Sequence, residues 1–408
     1  MKKNIIITGG ELFNKGAQSM TFVTVDEIRK RFPSKKIILL SSVDYKRSEK
    51  EKSKYSFNIL PISIGIVFEL LGGTYRLLWR LKAKKENKQE CKPHLLEIKE
   101  VFENSDMLID ISGYSLSSQL SSISSIEYLS RIKLAKKYGI KVYLMPQSFG
   151  PFSYKGVFKF VINFMIKEYM KYPKVIYTRE HEGYNLLNNY YKLNNVRKSY
   201  DLVLLNKGID ESSIYNVFPV NHDYKNVRGI AIIPNMRNFD HGDIEQIMLL
   251  YDAIVKKIIN QGKTVYLLRH SFEDIEACKM IKGRFANNDS VIILTEDMDC
   301  IELEGLVQKF DFLIASRYHS IIHAYKNGIP CIALGWANKY HELLETFKQE
   351  QYVFDVRNNI NIINIMPTFF LLAFFSIFLF IPILFIWFSA SNIRLSILTE
   401  AAKAALLR

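Results

Sequence analysis

The feature that most constrains this chain is a repeated alternation of short apolar runs with longer helical stretches. Runs rich in Ile, Val, Leu and Tyr fall at Asn4–Thr8, Lys36–Ser41, Met107–Ser112, Lys141–Pro146 and Lys174–Thr178. They lack the strict apolar–polar alternation of a half-buried strand, which is the pattern of strands covered on both faces. Helical stretches lie between them, near Ala17–Arg31, Leu95–Glu103, Ile123–Tyr138, Gly156–Tyr169 and Glu182–Asn189. A βαβα order of this kind predicts a parallel sheet covered by helices on both sides.

A second series follows, with strands near Ile230–Pro234, Thr264–Arg269, Val291–Leu294, Phe312–Ala315 and Cys331–Leu334. Its helices fall near Asp243–Asn260, Glu273–Arg284, Ile301–Lys309 and Ile321–Asn327. Between the two series, residues 206–226 are polar and irregular, with Gly208, Asp210, Ser212, Ser213, Asn221 and Asp223, and read as a linker. The expected fold is therefore α/β, with two Rossmann-like lobes about a central cleft. One lobe covers residues 1–205 and the other residues 227–357. A chain of 408 residues is also too long for one ordinary core. In such sheets the ligand sits beyond the carboxyl ends of the strands, so the loops there are where chemistry is expected.

With 48% hydrophobic and 24% charged residues the chain is a folding sequence, and its net charge of +14 favours anionic partners. No zinc finger, homeodomain or RNA-binding signature is present, so nucleic acid is not an expected partner. Cys91, Cys278, Cys300 and Cys331 are scattered and fit neither a disulfide framework nor a metal site, which points to a reducing, cytoplasmic setting. After Met1-Lys2-Lys3 the apolar run is only Ile5–Ile7, a first strand rather than a secretory signal.

Two segments raise the question of a membrane. From Phe369 to Phe388 the chain has twenty residues without a charge, about the length a helix needs to span a bilayer. This apolar C-terminal helix lies in an atypical tail, 358–408, whose composition changes abruptly after Asn364; a buried helix or a segment foreign to the fold are the other readings. Residues 61–92 run from an aliphatic stretch into Arg76, Arg80, Lys82, Lys84, Lys85, Lys88 and Lys92, which suits an interfacial helix with a cationic flank. A helix that simply covers the sheet fits that pattern equally well.

The strongest local signal is Ala315-Ser316-Arg317-Tyr318-His319-Ser320, directly after an apolar strand and opening a helix. A strand end that becomes a helix N-terminus offers backbone N–H groups and a favourable dipole to an anion. Arg317 adds a planar fork for carboxylate or phosphate, and His319 can exchange a proton near neutral pH. Ser316 and Ser320 add hydroxyls. An arginine bound to a neighbouring loop and a histidine satisfied in the core is the plainer alternative. Arg237, just past the first strand of the second lobe, would complete a two-arginine anion clamp. In the first lobe, the loop Thr8–Gln18 offers Gly9 and Gly10 for close backbone approach, with Asn14, Lys15 and Gln18 as polar groups. It is neither a dinucleotide fingerprint nor a P-loop. Ser112–Ser115, with Gly113, and Met145–Phe152, with Gln147 and Ser148, are expected as further strand-end loops facing the same way. Asp297-Met298-Asp299 matches a short metal motif of some glycosyltransferases but reads better as an acidic turn, and no metal is expected.

The segments ITGGELFNKGAQSM, PQSFGPF, YTRE at Tyr177–Glu180 and SRYHSIIHAYKNGIPCIALGWANKY resemble the polysaccharide pyruvyl transferase family over roughly Asn4 to Arg357. The resemblance implies a fold like that of two-lobed GT-B glycosyltransferases and phosphoenolpyruvate as donor substrate. It further implies that Arg317 and His319 hold the donor's phosphate and carboxylate, with help from Arg237. The acceptor would be a sugar of a surface polysaccharide or its lipid-linked precursor, reached at the cytoplasmic face of the membrane, with no redox cofactor. The competing expectations are a GT-B glycosyltransferase using a nucleotide sugar and an inactive membrane-attached scaffold.

Overall fold

The computed structural model describes residues 2–85, 92–220, 222–336 and 338–357. The first sheet contains β1 (Asn4–Thr8), β2 (Lys36–Ser41), β3 (Asn58–Pro61), β4 (Ser105–Asp110), β5 (Tyr114–Leu116), β6 (Lys141–Phe149), β7 (Val175–Thr178) and β8 (Val196–Lys198). Their order is β3-β2-β1-β4-β6-β7-β8, with β5 on β6, and neighbouring strands are parallel. The second sheet contains β9 (Ile230–Ile233), β10 (Val265–Leu268), β11 (Val291–Leu294), β12 (Phe312–Ala315), β13 (Cys331–Gly335) and β14 (Val353–Asp355). It runs β11-β10-β9-β12-β13-β14, again parallel. Each sheet reverses its order beside its first strand, between β1 and β4 and between β9 and β12. Such a reversal opens a crevice at the carboxyl ends of the strands.

Burial explains the absence of alternation in the strands. Ile5, Ile6 and Ile7 are all inaccessible to solvent, yet successive side chains point to opposite faces. Ile5 and Ile7 pack with Phe22, Val25 and Leu39 in a core that continues through Tyr215 into the second lobe. Ile6 packs with Ile38, Leu40, Tyr128 and Val142 on the other face.

Three local expectations change. The aliphatic stretch after Pro61 forms a helix, Ile64–Leu71, whose Ile66, Val67, Phe68 and Leu70 are buried in the core, so these side chains cover the sheet rather than a bilayer. Met145–Phe149, expected as a loop, continues β6. Pro146 is tolerated there because the pairing with β7 shifts register between Leu144 and Gln147, and a bulge needs no proline N–H. The expected helix Glu182–Asn189 is a short turn of helix, His181–Tyr184, followed by a wider π-type turn over Asn185–Tyr190. Among the described residues no helix is long and apolar enough to cross a membrane; the tail 358–408, with its expected span 369–388, lies outside them.

Candidate active site

The two sheet reversals face one another across a cleft, and a cavity of about 520 Å³ opens between them. On the first-lobe side, Asn14 starts the helix Lys15–Arg31 by accepting hydrogen bonds from the N–H groups of Gly16 and Ala17, at 3.0 and 3.2 Å. Asn14 and Gly9 line the cavity, as does Gly113 on the turn after β4. Gly9 has φ +78°, and a Cβ there would lie 2.1 Å from Ser112 Oγ, so only glycine lets the two turns close on each other. At Gly16 a Cβ would lie 2.2 Å from His319 Nδ1. The start of a first-lobe helix therefore rests directly on an imidazole of the second lobe.

His319 sits in the first turn of the helix Tyr318–Lys326, after β12, and its ring lines the cavity. Its Nε2 lies 3.7 Å from Asp201 Oδ2 and makes no hydrogen bond among the described residues. Burial lowers its pKa to about 4, with Arg179 acting in the same direction and Asp201 opposing, so the ring is neutral at pH 7. Asp201 in turn accepts a 2.7 Å hydrogen bond from Arg179 Nη1. Burial would raise the Asp201 carboxyl, but His319 and Arg179 outweigh it and hold it below the usual carboxylate range. Arg179 is held through both terminal nitrogens, while its buried Nε, 3.7 Å from Glu180 Oε1, makes no hydrogen bond among the described residues. Its Nη2 donates to the Gly113 carbonyl at 2.8 Å and to Ser148 Oγ at 2.7 Å, and the guanidinium stacks 4.8 Å from the Tyr318 ring centroid. Lys339 reaches the same cavity over the rings of Tyr114 and Tyr318. Its pKa falls to about 8 because burial and the nearby Arg179 both disfavour the ammonium.

Arg317 is placed differently from its neighbour His319. Its Nε and Nη2 grip both oxygens of Asp274, at 2.8 and 2.6 Å, and Nη2 also reaches Glu273 Oε1 at 2.6 Å. Arg237, largely exposed, holds Asp240 at 3.1 Å and approaches the same Glu273 oxygen at 3.8 Å. The expected pair of arginines is thus brought together, but around a carboxylate of the chain itself. Neither arginine lines the cavity that His319 lines.

The other expected residues divide by role. Ser316 is buried, with its hydroxyl 3.3 Å from Tyr251 and its carbonyl accepting from Asn235 and Tyr340. Ser320 is fully buried and its hydroxyl has no partner among the described residues. Gln147, also fully buried, binds Asp110 and Tyr128 inside the first lobe, so it supports the site from behind rather than facing it. Ser148 links Arg179 to Glu180. Gly10 packs against Thr21. Lys15 and Gln18 join the lobes: Lys15 pairs with Asp297 at 3.3 Å, and the Gln18 carbonyl accepts from the Cys300 N–H at 2.9 Å. Asp297 also takes Arg269, and Asp299 starts the helix Cys300–Val307. Among the described residues no cluster of His, Cys, Asp or Glu is suited to a metal ion, and Cys278, Cys300 and Cys331 are buried thiols.

Sequence reasoning did not single out Arg179, Asp201, Lys339 or His270. His270, after β10, is buried with both ring nitrogens unpartnered among the described residues, and burial together with the Arg317 charge keeps it neutral. Arg179 and Lys339 lie within YTRE and the closing Lys-Tyr pair, so the signal was present without a role attached.

The profile of the polysaccharide pyruvyl transferase family matches residues 14–338. No curated protein matches the sequence. Among solved structures, UDP-GlcNAc 2-epimerase from Methanocaldococcus jannaschii is similar at 13% identity, with 90% of this chain and 92% of that chain covered and a TM-score of 0.50. The trehalose-6-phosphate synthase OtsA is similar at 10% identity over 99% of both chains, with a TM-score of 0.55. UGT71G1 of Medicago truncatula, complexed with UDP-glucose, is similar at 10% identity over 96% and 94%, with a TM-score of 0.53. At these identities the likeness is one of fold, and the fold is of the GT-B type.

Proposed function

Because the chain belongs to the polysaccharide pyruvyl transferase family, we propose that it transfers a pyruvyl group from phosphoenolpyruvate to two hydroxyls of a sugar, forming a ketal. The acceptor is a sugar of a surface polysaccharide or its lipid-linked precursor, met in the cytoplasm at the membrane face. The observation that carries this reading is the meeting of a neutral imidazole, His319, with two cations, Arg179 and Lys339, on one cavity between the lobes. A donor bearing both phosphate and carboxylate needs positive charge around it, and a hydroxyl that must add to carbon needs a base.

The reaction then balances with the chain's own groups. The oxygen of the first hydroxyl bonds to the central carbon of the donor, its proton passes to His319, and His319 hands that proton to the methylene carbon, which becomes a methyl. The oxygen of the second hydroxyl bonds to the same carbon as the carbon–oxygen bond to phosphate breaks. Phosphate leaves with the electron pair and takes up the second proton. No redox cofactor enters. Arg179 and Lys339 pair with the donor's carboxylate on the cavity wall, while its phosphate leaves toward Arg317 and Arg237. Arg317 and Arg237 serve the donor by exchange: the phosphate takes the position of the half-exposed Glu273 carboxylate, while the buried Asp274 keeps Arg317 in place.

The test is incubation of the purified chain with phosphoenolpyruvate and candidate lipid-linked glycans, read by phosphate release and by mass spectrometry of the glycan. Phosphate release that depends on both substrates, with a pyruvyl group added to the sugar, is expected. Sugar transfer from a nucleotide donor with nucleoside diphosphate release, and no pyruvylated product, would refute the proposal.

A further inference from the structure

We infer that the helix Gly156–Tyr169 is a membrane-docking surface of the first lobe, fitted to an anionic lipid bilayer. The inference rests on the reading above only in that the acceptor there is lipid-linked. Val157, Phe160, Val161 and Phe164 follow the i, i+3, i+4, i+7 spacing that places side chains on one helix face. That face is not the buried one. Val157 is 73% exposed, Phe160 76% and Phe164 62%, whereas Ile162, Met165 and Ile166 on the other side are buried in the core. Phe158 stands beside the ridge at 42%. Tyr190, 69% exposed, joins it through Tyr191, whose hydroxyl bonds Asn163 of the same helix. A contiguous aromatic ridge of this kind on a soluble face marks an interaction site.

The surrounding charge selects the partner. Lys167, three residues on from Phe164, borders the ridge, Lys155 and Lys159 are exposed at the start of the helix, and none of the three makes an ion pair among the described residues. At the far end of the helix a groove of about 500 Å³ is lined by Lys136, Lys141, Lys171 and Lys174, with Glu168 as its one acidic side chain. Apolar side chains that enter the acyl boundary, with lysines at headgroup level, match an anionic bilayer. A second protein copy would bring the same lysines against themselves.

The location fits the task. The helix begins one short loop after β6, and that loop is tied to the cavity wall: Tyr114, which lines the cavity, donates its hydroxyl to the Gly150 carbonyl at 3.1 Å, and Ser118 binds the Pro151 carbonyl. Docking through the ridge brings the cleft to the lipid surface, where a lipid-linked sugar is presented.

The experiment compares the full chain with Phe160→Glu/Phe164→Glu in flotation with vesicles of equal parts phosphatidylglycerol and phosphatidylcholine. Circular dichroism checks that the variant folds, as substitutions at exposed positions should permit. The wild type is expected to float, the variant to partition at least roughly tenfold less, and pure phosphatidylcholine to bind the wild type more weakly. Equal flotation of both proteins, or an oligomer that the variant dissolves without any vesicle binding, overturns the inference. Transfer to a water-soluble acceptor separates this idea from the proposed activity. The variant keeps that rate and loses transfer to the lipid-linked acceptor. Ridge-dependent flotation without any pyruvyl transfer would sink the activity and leave the docking surface standing.

Discussion

Replacing Arg317 by alanine probes the most consequential placement in the molecule. Asp274 has no solvent exposure, and its carboxylate is held by four donors: Arg317 Nε at 2.8 Å, Arg317 Nη2 at 2.6 Å, Ser271 N–H at 2.9 Å and Met236 N–H at 3.1 Å. The arginine supplies the only positive charge among them. Without it a buried carboxylate remains with two backbone donors. Breaking a buried ion pair by removing one partner costs about 3–5 kcal/mol, a large share of the roughly 5–15 kcal/mol that holds a domain together. Urea unfolding of the full chain followed by circular dichroism should show a loss of this size. Asp274→Asn removes the stranded charge, so the double variant should recover about 2 kcal/mol relative to the sum of the single changes. A cost for Arg317→Ala below about 1 kcal/mol, or strict additivity with Asp274→Asn, would refute the argument, because it would mean that water already solvates the pair. The expected loss also bears on any activity assay, since inactivity of Arg317→Ala would reflect misfolding as readily as a missing phosphate contact.

Three further outcomes follow from the same geometry. Glu273→Gln removes the carboxylate that Arg317 and Arg237 share, and steady-state kinetics should show KM for phosphoenolpyruvate lowered about 2- to 5-fold, as expected for an exposed ion pair; an unchanged or higher KM argues against phosphate replacing Glu273. The Lys339 ammonium, lowered to about 8 by burial and Arg179, should give kcat/KM an alkaline limb near that pH, which Lys339→Arg moves upward; a limb that stays put assigns it to another group. His319, whose pKa burial lowers from 6.5 to about 4, binds a proton more readily unfolded than folded. Its contribution to stability is complete above pH 6.5 and lost as the pH falls through about 4, with His270 acting in the same direction. Denaturation midpoints measured between pH 7 and 4 should therefore fall, and fall less in His319→Gln.

The sequence by itself determined the scaffold. The apolar runs at β1, β2, β9, β10 and β12 are strands wherever they are placed, because both of their faces are buried and only a helix-covered parallel sheet provides that. The acidic turn at Asp297-Met298-Asp299 and the location of the candidate site at the strand ends were legible for the same local reasons. The strands β3, β5, β8 and β14 were not, since polar residues interrupt each of these short runs and leave no continuous apolar stretch. Nor was the continuation of β6 beyond Pro146, which depends on a bulge against β7. What only the tertiary structure decided is the partner of each charge. Arg317 and His319 are two residues apart and share a motif, yet one is turned to Asp274 and Glu273 and the other to the cleft beside Gly16 and Asp201. Arg179 joins His319 from the other lobe, and Lys339 from the far end of the same motif. Local sequence sets which side chains can carry charge or exchange a proton. Where those side chains point is set by backbone packing between strands and lobes, because a buried charge settles on the nearest oppositely charged group the fold brings to it.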